Sequence, residues 1–262
     1  MPVPVSSEID GQMVAIGSGC LVPQKSIAEL TRLLTPINSS ELDRAGQALG
    51  INQPRELTGA AFTDTAVKGM TDLDQFQVLH FATHGLTEGQ WGRCAKAPPG
   101  LVTSLGAQGS DALLSFDEIA KMRLDANLVV LSACDTASGI SSSLARATGQ
   151  EEGGAALEGL VRAFLAANAR AVMSTYWPIS NAGQSEDLIA EFYKAARVGT
   201  IGQALRTAQV KIMTDPQSSH PYYWGAFFVV GDAQQPLLTG KAQMAMHTSP
   251  GGETSVPLAR NR

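Results

Sequence analysis

Apolar positions in this chain follow two alternating patterns, short unbroken runs and longer stretches with helical spacing. The clearest runs are MVAIGSG (13–19), VLHFATHG (78–85), NLVVLSACDT (127–136), ARAVMSTYWPI (169–179) and AFFVVGD (226–232). Consecutive aliphatics such as Leu128–Leu131 predict strands covered on both faces. Helical spacing appears at 26–36 and 39–50, with Gly50 as the stop, and again at about 63–70. Leu157, Leu160, Val161, Phe164 and Leu165 recur at i, i+3, i+4, i+7 and i+8, which gives one clear helical face. Leu188, Ile189, Phe192, Tyr193 and Ala196 mark a further helix, and Ile201, Leu205, Ala208 and Ile212 the last. Ser115 followed by Glu118 is a capping box, so a short helix starts there.

Between these elements the chain is less periodic. A short strand is expected near 55–57. Residues 86–112 are rich in glycine and proline and read as a long surface loop, and 136–154 as a second polar loop. Residues 1–10 are expected to be disordered, 11–235 to form one domain, and 236–262 to be a disordered polar tail. No internal repeat is present. Strands alternating with helices imply an α/β fold, a mostly parallel central sheet with helices on both faces.

Composition narrows the function. A net charge of −5 with no basic cluster argues against nucleic acid as partner. No apolar stretch approaches the roughly 18 residues needed to span a bilayer, so no membrane role is expected. The first residues have neither a basic nor an apolar signal region, which together with cysteine usage reads as cytoplasmic. Three cysteines, Cys20, Cys94 and Cys134, look too few and scattered for a disulfide framework, and are expected as thiols.

Two runs end in reactive side chains, His84 and Cys134. Parallel sheets present active-site residues at the carboxyl ends of their strands, and a thiol beside an imidazole is the minimum for nucleophilic cysteine catalysis. The separation of 50 residues matches the His-to-Cys spacing of caspases. Ser132, Asp135 and the polar chain beyond suggest that Cys134 opens onto solvent. Gly85 permits a close backbone approach, so the Gly85 and Cys134 N–H groups are candidate oxyanion donors. His80 and His84 on one strand stand about 13 Å apart, too far for one zinc with bonds of about 2 Å. No metal or cofactor is expected, and His80 reads as a hydrogen-bonded structural histidine. Trp177 and Tyr222–Trp224 read mainly as packing, with one of the two runs a possible pocket wall.

FATHGL, LLSFDEIAKMRLDANLVVLSACDTASG, LEGLVRAFLAANARAVMSTYWPI and HPYYWGAFFVVGD occur in an order that resembles the CHAT domain family over residues 11–233. The resemblance implies a caspase-like three-layer sandwich of the caspase/separase type. It also implies a cysteine endopeptidase dyad, with His84 as the family histidine, Cys134 as nucleophile, and the Gly85 and Cys134 amides as oxyanion hole. Many relatives carry an acid at the position of Ala155 and aspartates after the WP pair. Here Ile179, Ser180 and Asn181 follow it, and the nearest acids are Glu151, Glu152 and Asp187. Asp135, Glu151, Glu152 and Trp177 are the candidate substrate-pocket residues. The expected partners are a protein substrate and an activating or recruiting protein. A non-catalytic interaction scaffold is the alternative, and an acyltransferase or esterase a more distant one.

Overall fold

A computed structural model describes residues 12–239 except 17–19, 35–36, 38, 52–53, 87, 90–93, 95, 107–109, 133–152 and 178–182. The central sheet is built from β3 (Val78–Phe81), β7 (Leu128–Leu131), β8 (Ala171–Thr175) and β9 (Phe227–Gly231), in the order β3-β7-β8-β9. The first three strands are parallel, and β9 runs antiparallel to β8 along the edge.

Successive side chains of a strand point to opposite faces, and the all-apolar runs of β7 and β8 therefore feed two cores. Leu128, Val130, Ala171 and Met173 pack with α2 (Ser40–Leu49), α6 (Gln184–Ala196) and α7 (Ile201–Thr214). Val129, Leu131 and Val172 pack with α3 (Asp64–Lys68), α4 (Phe116–Ala120) and α5 (Gly153–Ala166). The mixed α/β architecture with a mostly parallel sheet is thus the one the strand and helix patterns imply. Local chemistry sets the helix ends. Gly50 adopts a left-handed φ of 85° and its N–H closes α2 on the carbonyls of Gln47 and Gly46. Ser115 and Glu118 satisfy each other's backbone donors at the start of α4.

Several expectations are corrected. Residues 86–112 are not a surface loop throughout. β4 (Gly85–Leu86), β5 (Gly100–Val102) and β6 (Leu113–Ser115) form an antiparallel sheet whose Leu101, Leu113 and Leu114 are fully buried. Strands of two or three residues leave no periodicity to read, which is why glycine and proline dominated the reading. The strand expected at 55–57 is absent; residues 54–58 run without ladder pairing. β9 is only partly buried, with Val230 and Gly231 exposed at the sheet edge. Residues 236–239, expected in the tail, are packed instead. Leu237 and Leu238 are in the core, and Thr239 exchanges two hydrogen bonds with the Gln77 side chain (3.1 and 2.9 Å).

Cys20 and Cys94 are joined as a disulfide, with Cα atoms 5.9 Å apart, and are not free thiols. Their separation of 74 residues hid the pairing. The hairpin of β1 (Met13–Ile16) and β2 (Cys20–Pro23), with α1 (Gln24–Leu33), packs Ile16, Val22 and Ile27 against Cys94, Ala97 and Leu113. Disulfides belong mainly to oxidising compartments, which counts against the reduced-thiol expectation. No described helix is long and apolar enough to cross a membrane.

Candidate active site

The carboxyl ends of β3, β7 and β8 lie side by side because the strands are parallel and in register. Val78 pairs with Leu128 and Phe81 with Leu131, so residues fifty apart in sequence stand opposite each other. His84 follows Phe81 by three residues, and Cys134 follows Leu131 by three. The Ser132 N–H donates to the Phe81 carbonyl at 3.2 Å and extends the pairing one residue further. Cys134, Asp135, Glu151 and Glu152 lie outside the described residues.

His84 is buried in the crossing from β3 to β4. Its carbonyl accepts the Val102 N–H at 2.7 Å, and the Thr83 hydroxyl donates to the Val102 carbonyl at 2.5 Å. The first bond ties the histidine's backbone to β5, and the second ties the preceding Thr83 side chain to it. Gly85 pairs with Leu101, and the bond from Val102 to His84 makes this a pair that exchanges no ladder hydrogen bonds. The Gly85 N–H therefore points away from β5, leaving the ladder without using it.

Trp177 lies two residues beyond the end of β8. It is half-buried, its indole N–H donating to the Tyr222 carbonyl at 3.1 Å, next to α8 (Pro221–Trp224). Val130 is opposite Met173 in the pairing of β7 with β8. Asp187, by contrast, pairs with Arg44 on the outer face of α6.

A second polar group was only partly legible. His80, on β3, points to the α2/α6 face. Its Nε2 lies 2.8 Å from Oε1 of Glu41 and 3.2 Å from the Ser132 hydroxyl, and its Nδ1 3.3 Å from the Tyr193 hydroxyl. Glu41, Ser132 and Tyr193 are buried, and the His80 side chain is 9% exposed. The hydrogen-bonded structural role read for His80 is the one observed, but Glu41 and Tyr193 were missed. Both look like ordinary members of amphipathic helices, and only an acid on the apolar side of α2 hinted otherwise. Burial raises the Glu41 carboxyl pKa, yet the His80 hydrogen bond and charge and the Ser132 hydroxyl overcome it, and the net shift is downward. Burial, with Glu41 adding to it, pushes the Tyr193 phenol far up, so Tyr193 remains a neutral donor.

Beside this group, a cleft of about 190 Å³ runs along the outer edge of β3. Leu42, Leu49, Phe76 and Leu79 line its walls, with His80 and Tyr193 contributing to the lining.

Comparison with known proteins gives two findings. A stretch of 122 residues is 31% identical to mouse (Mus musculus) tetratricopeptide repeat protein 28, covering 46% of this chain but only 4% of that much longer protein. The match to the CHAT domain model spans residues 11–232, most of the chain, and the chain belongs to that family.

Proposed function

We propose that this domain is a caspase-like cysteine endopeptidase that cleaves a protein substrate with His84 and Cys134. The observation that carries the reading is the strand register: Phe81 pairs with Leu131, and His84 and Cys134 are each the third residue after that pair in the sequence. The two cores on either face of the sheet are consistent with the three-layer, caspase-like sandwich that the reading requires.

The Cys134 thiolate attacks the scissile carbonyl carbon and forms a tetrahedral oxyanion. The Gly85 and Cys134 N–H groups receive that oxyanion, and the Gly85 N–H pointing away from β5 supports the assignment. His84 protonates the amine as the C–N bond breaks, leaving a thioester. It then takes a proton from the incoming water, and hydrolysis releases the acid and restores the thiol. A free thiol has a pKa near 8.5, and an adjacent imidazolium supplies the thiolate at neutral pH. Trp177 walls the substrate groove from the β8 side, and Asp135, Glu151 and Glu152 complete its pocket. A partner protein recruits or activates the enzyme.

A non-catalytic interaction domain is the second reading. It is favoured by the mouse relative, named for repeats whose stacked helices form binding surfaces. An unbiased peptide-library digest separates the two. Cleavage by the native chain that disappears in both Cys134→Ala and His84→Ala is the expected result. Cleavage that persists in Cys134→Ala overturns the mechanism. No cleavage by any of the three, with Cys134 inert to a thiol-reactive peptide probe, favours the interaction domain.

A further inference from the structure

The buried Glu41–His80–Ser132 group is larger than packing alone requires. Burying a carboxylate and an imidazole is costly unless each finds partners, and an apolar trio would fill the same space. Its location is informative. Ser132 precedes Cys134 by two residues, and its backbone N–H is bonded to Phe81, three residues before His84. The side-chain group thus clamps the two strand ends that carry the dyad.

The chemistry of the clamp follows from its atoms. Tyr193 keeps its proton, and its hydroxyl lies 3.3 Å from Nδ1 of His80. Nε2 faces the Ser132 hydroxyl at 3.2 Å, with the Glu41 carboxylate beside it at 2.8 Å. Glu41 occupies the first turn of α2, where the helix N-terminus favours negative charge. Arg44 fixes α2 against α6 from outside through Glu186 (2.8 Å) and Asp187, so the carboxylate rests on a braced helix. Among the described residues, Glu41 from α2 and Tyr193 from α6 are the titratable groups that face His80, while Ser132 faces it from the end of β7. The Thr175 hydroxyl at the end of β8 is buried with no partner among the described residues.

We propose that Glu41, His80 and Ser132 act as positioning residues for the Cys134 thiol, holding the β7 end in register with the β3 end so that thiol and imidazole meet. This rests on the reading of His84 and Cys134 as the dyad. None of the three touches the substrate; the effect acts through the backbone of Ser132, which is bonded to Phe81.

The test uses the full chain. With Cys20 and Cys94 in a disulfide, Cys134 is the remaining cysteine of the three, so iodoacetamide uptake followed by intact mass reports on it alone. Alkylation rate against pH is measured for the native chain, His84→Ala, Glu41→Gln and Ser132→Ala, with melting temperatures alongside. The native chain is expected to keep a fast plateau well below pH 8, and His84→Ala to lose it. Glu41→Gln and Ser132→Ala are expected to move the profile upward and slow alkylation at pH 6.5 about tenfold, Ser132→Ala serving if Glu41→Gln fails to fold. If both variants fold and their profiles superimpose on the native one, the positioning role is overturned while the dyad stands. If the native chain itself titrates as an ordinary thiol and matches His84→Ala, the dyad fails and takes the positioning role with it.

Discussion

Phe81 and Leu131 face each other at the ends of adjacent parallel strands, and the Ser132 N–H closes the last bond between them at 3.2 Å. The proposed pairing of His84 with Cys134 depends on equal numbers of residues beyond that pair. A glycine inserted between Ala133 and Cys134 lengthens the Cys134 side by one residue, up to about 3.3 Å of chain, and leaves the pairing of 78–81 with 128–131 intact. Misplacement of about 1 Å can cost on the order of 100-fold in rate. The expected outcome is peptide cleavage reduced at least about 100-fold, with a melting temperature within a few degrees of the native value. Undiminished cleavage would show that register is not what brings the two groups together.

The same register explains how much was legible in advance. β7 and β8 are unbroken apolar runs because both faces are covered, so their existence and direction could be read from Leu128–Leu131 and Ala171–Thr175 alone. His84 and Cys134 stood out because each breaks such a run. The β4–β6 sheet did not stand out, since Gly100 and Leu101 carry no period over three residues. The pairing of Cys20 with Cys94 is a tertiary fact that bridges 74 residues. Glu41 and Tyr193 converge on His80 from helices far apart in sequence, and nothing local marks either as a partner.

Gly100 and Gly159 are constrained by different neighbours. A Cβ on Gly100 would sit 2.6 Å from the Leu114 carbonyl oxygen and 2.9 Å from the Ser115 Cα, both backbone atoms of β6. One on Gly159 would meet Phe116 ring carbons at 2.8 and 3.0 Å, and a side chain can turn aside. Overpacking typically costs about 1–3 kcal/mol, while alanine in a helix recovers about 0.5–1 kcal/mol over glycine. Gly100→Ala is therefore expected to cost about 3 kcal/mol and Gly159→Ala about 1 kcal/mol or less. Urea denaturation would measure both, and equal losses would refute the distinction between rigid and movable neighbours.

The disulfide ties the β1–β2 hairpin to the chain following His84. Closing a loop of this length is worth about 4 kcal/mol in the chain-entropy account. Cys20→Ser with Cys94→Ser is expected to lower stability by about 2–4 kcal/mol, and dithiothreitol should act on the native chain but not on the double variant. The α2/α6/α7 core contains neither cysteine, so the loss should be concentrated in hydrogen exchange of 13–27 and 97–114. Uniform loss of protection across the sheet would show instead that the hairpin and central sheet unfold as one unit.

Asp111 gives the fold a pH dependence of unusual sign. Burial pushes its carboxyl up from 3.8 to about 6, opposed by the Leu113 N–H and reinforced by the charges of Asp64 and Glu118, with Lys68 pulling the other way. Below about pH 3.8 the group is protonated in folded and unfolded chains alike, and it contributes no difference. Between there and pH 6 the unfolded chain releases the proton while the folded one retains it, so folding loses stability as pH rises. Above about 6 both forms are ionised and the penalty is complete. Because the side chain is only half-buried, solvent screening reduces the penalty to on the order of 1 kcal/mol. Asp111→Asn keeps an oxygen for the Leu113 N–H and removes the charge. It is expected to equal the native chain in stability near pH 4 and exceed it by about 1 kcal/mol at pH 7. Urea titrations at the two pH values decide it: a gap that is already present at pH 4, or that narrows as pH rises, would place the origin of the effect elsewhere than in the Asp111 charge.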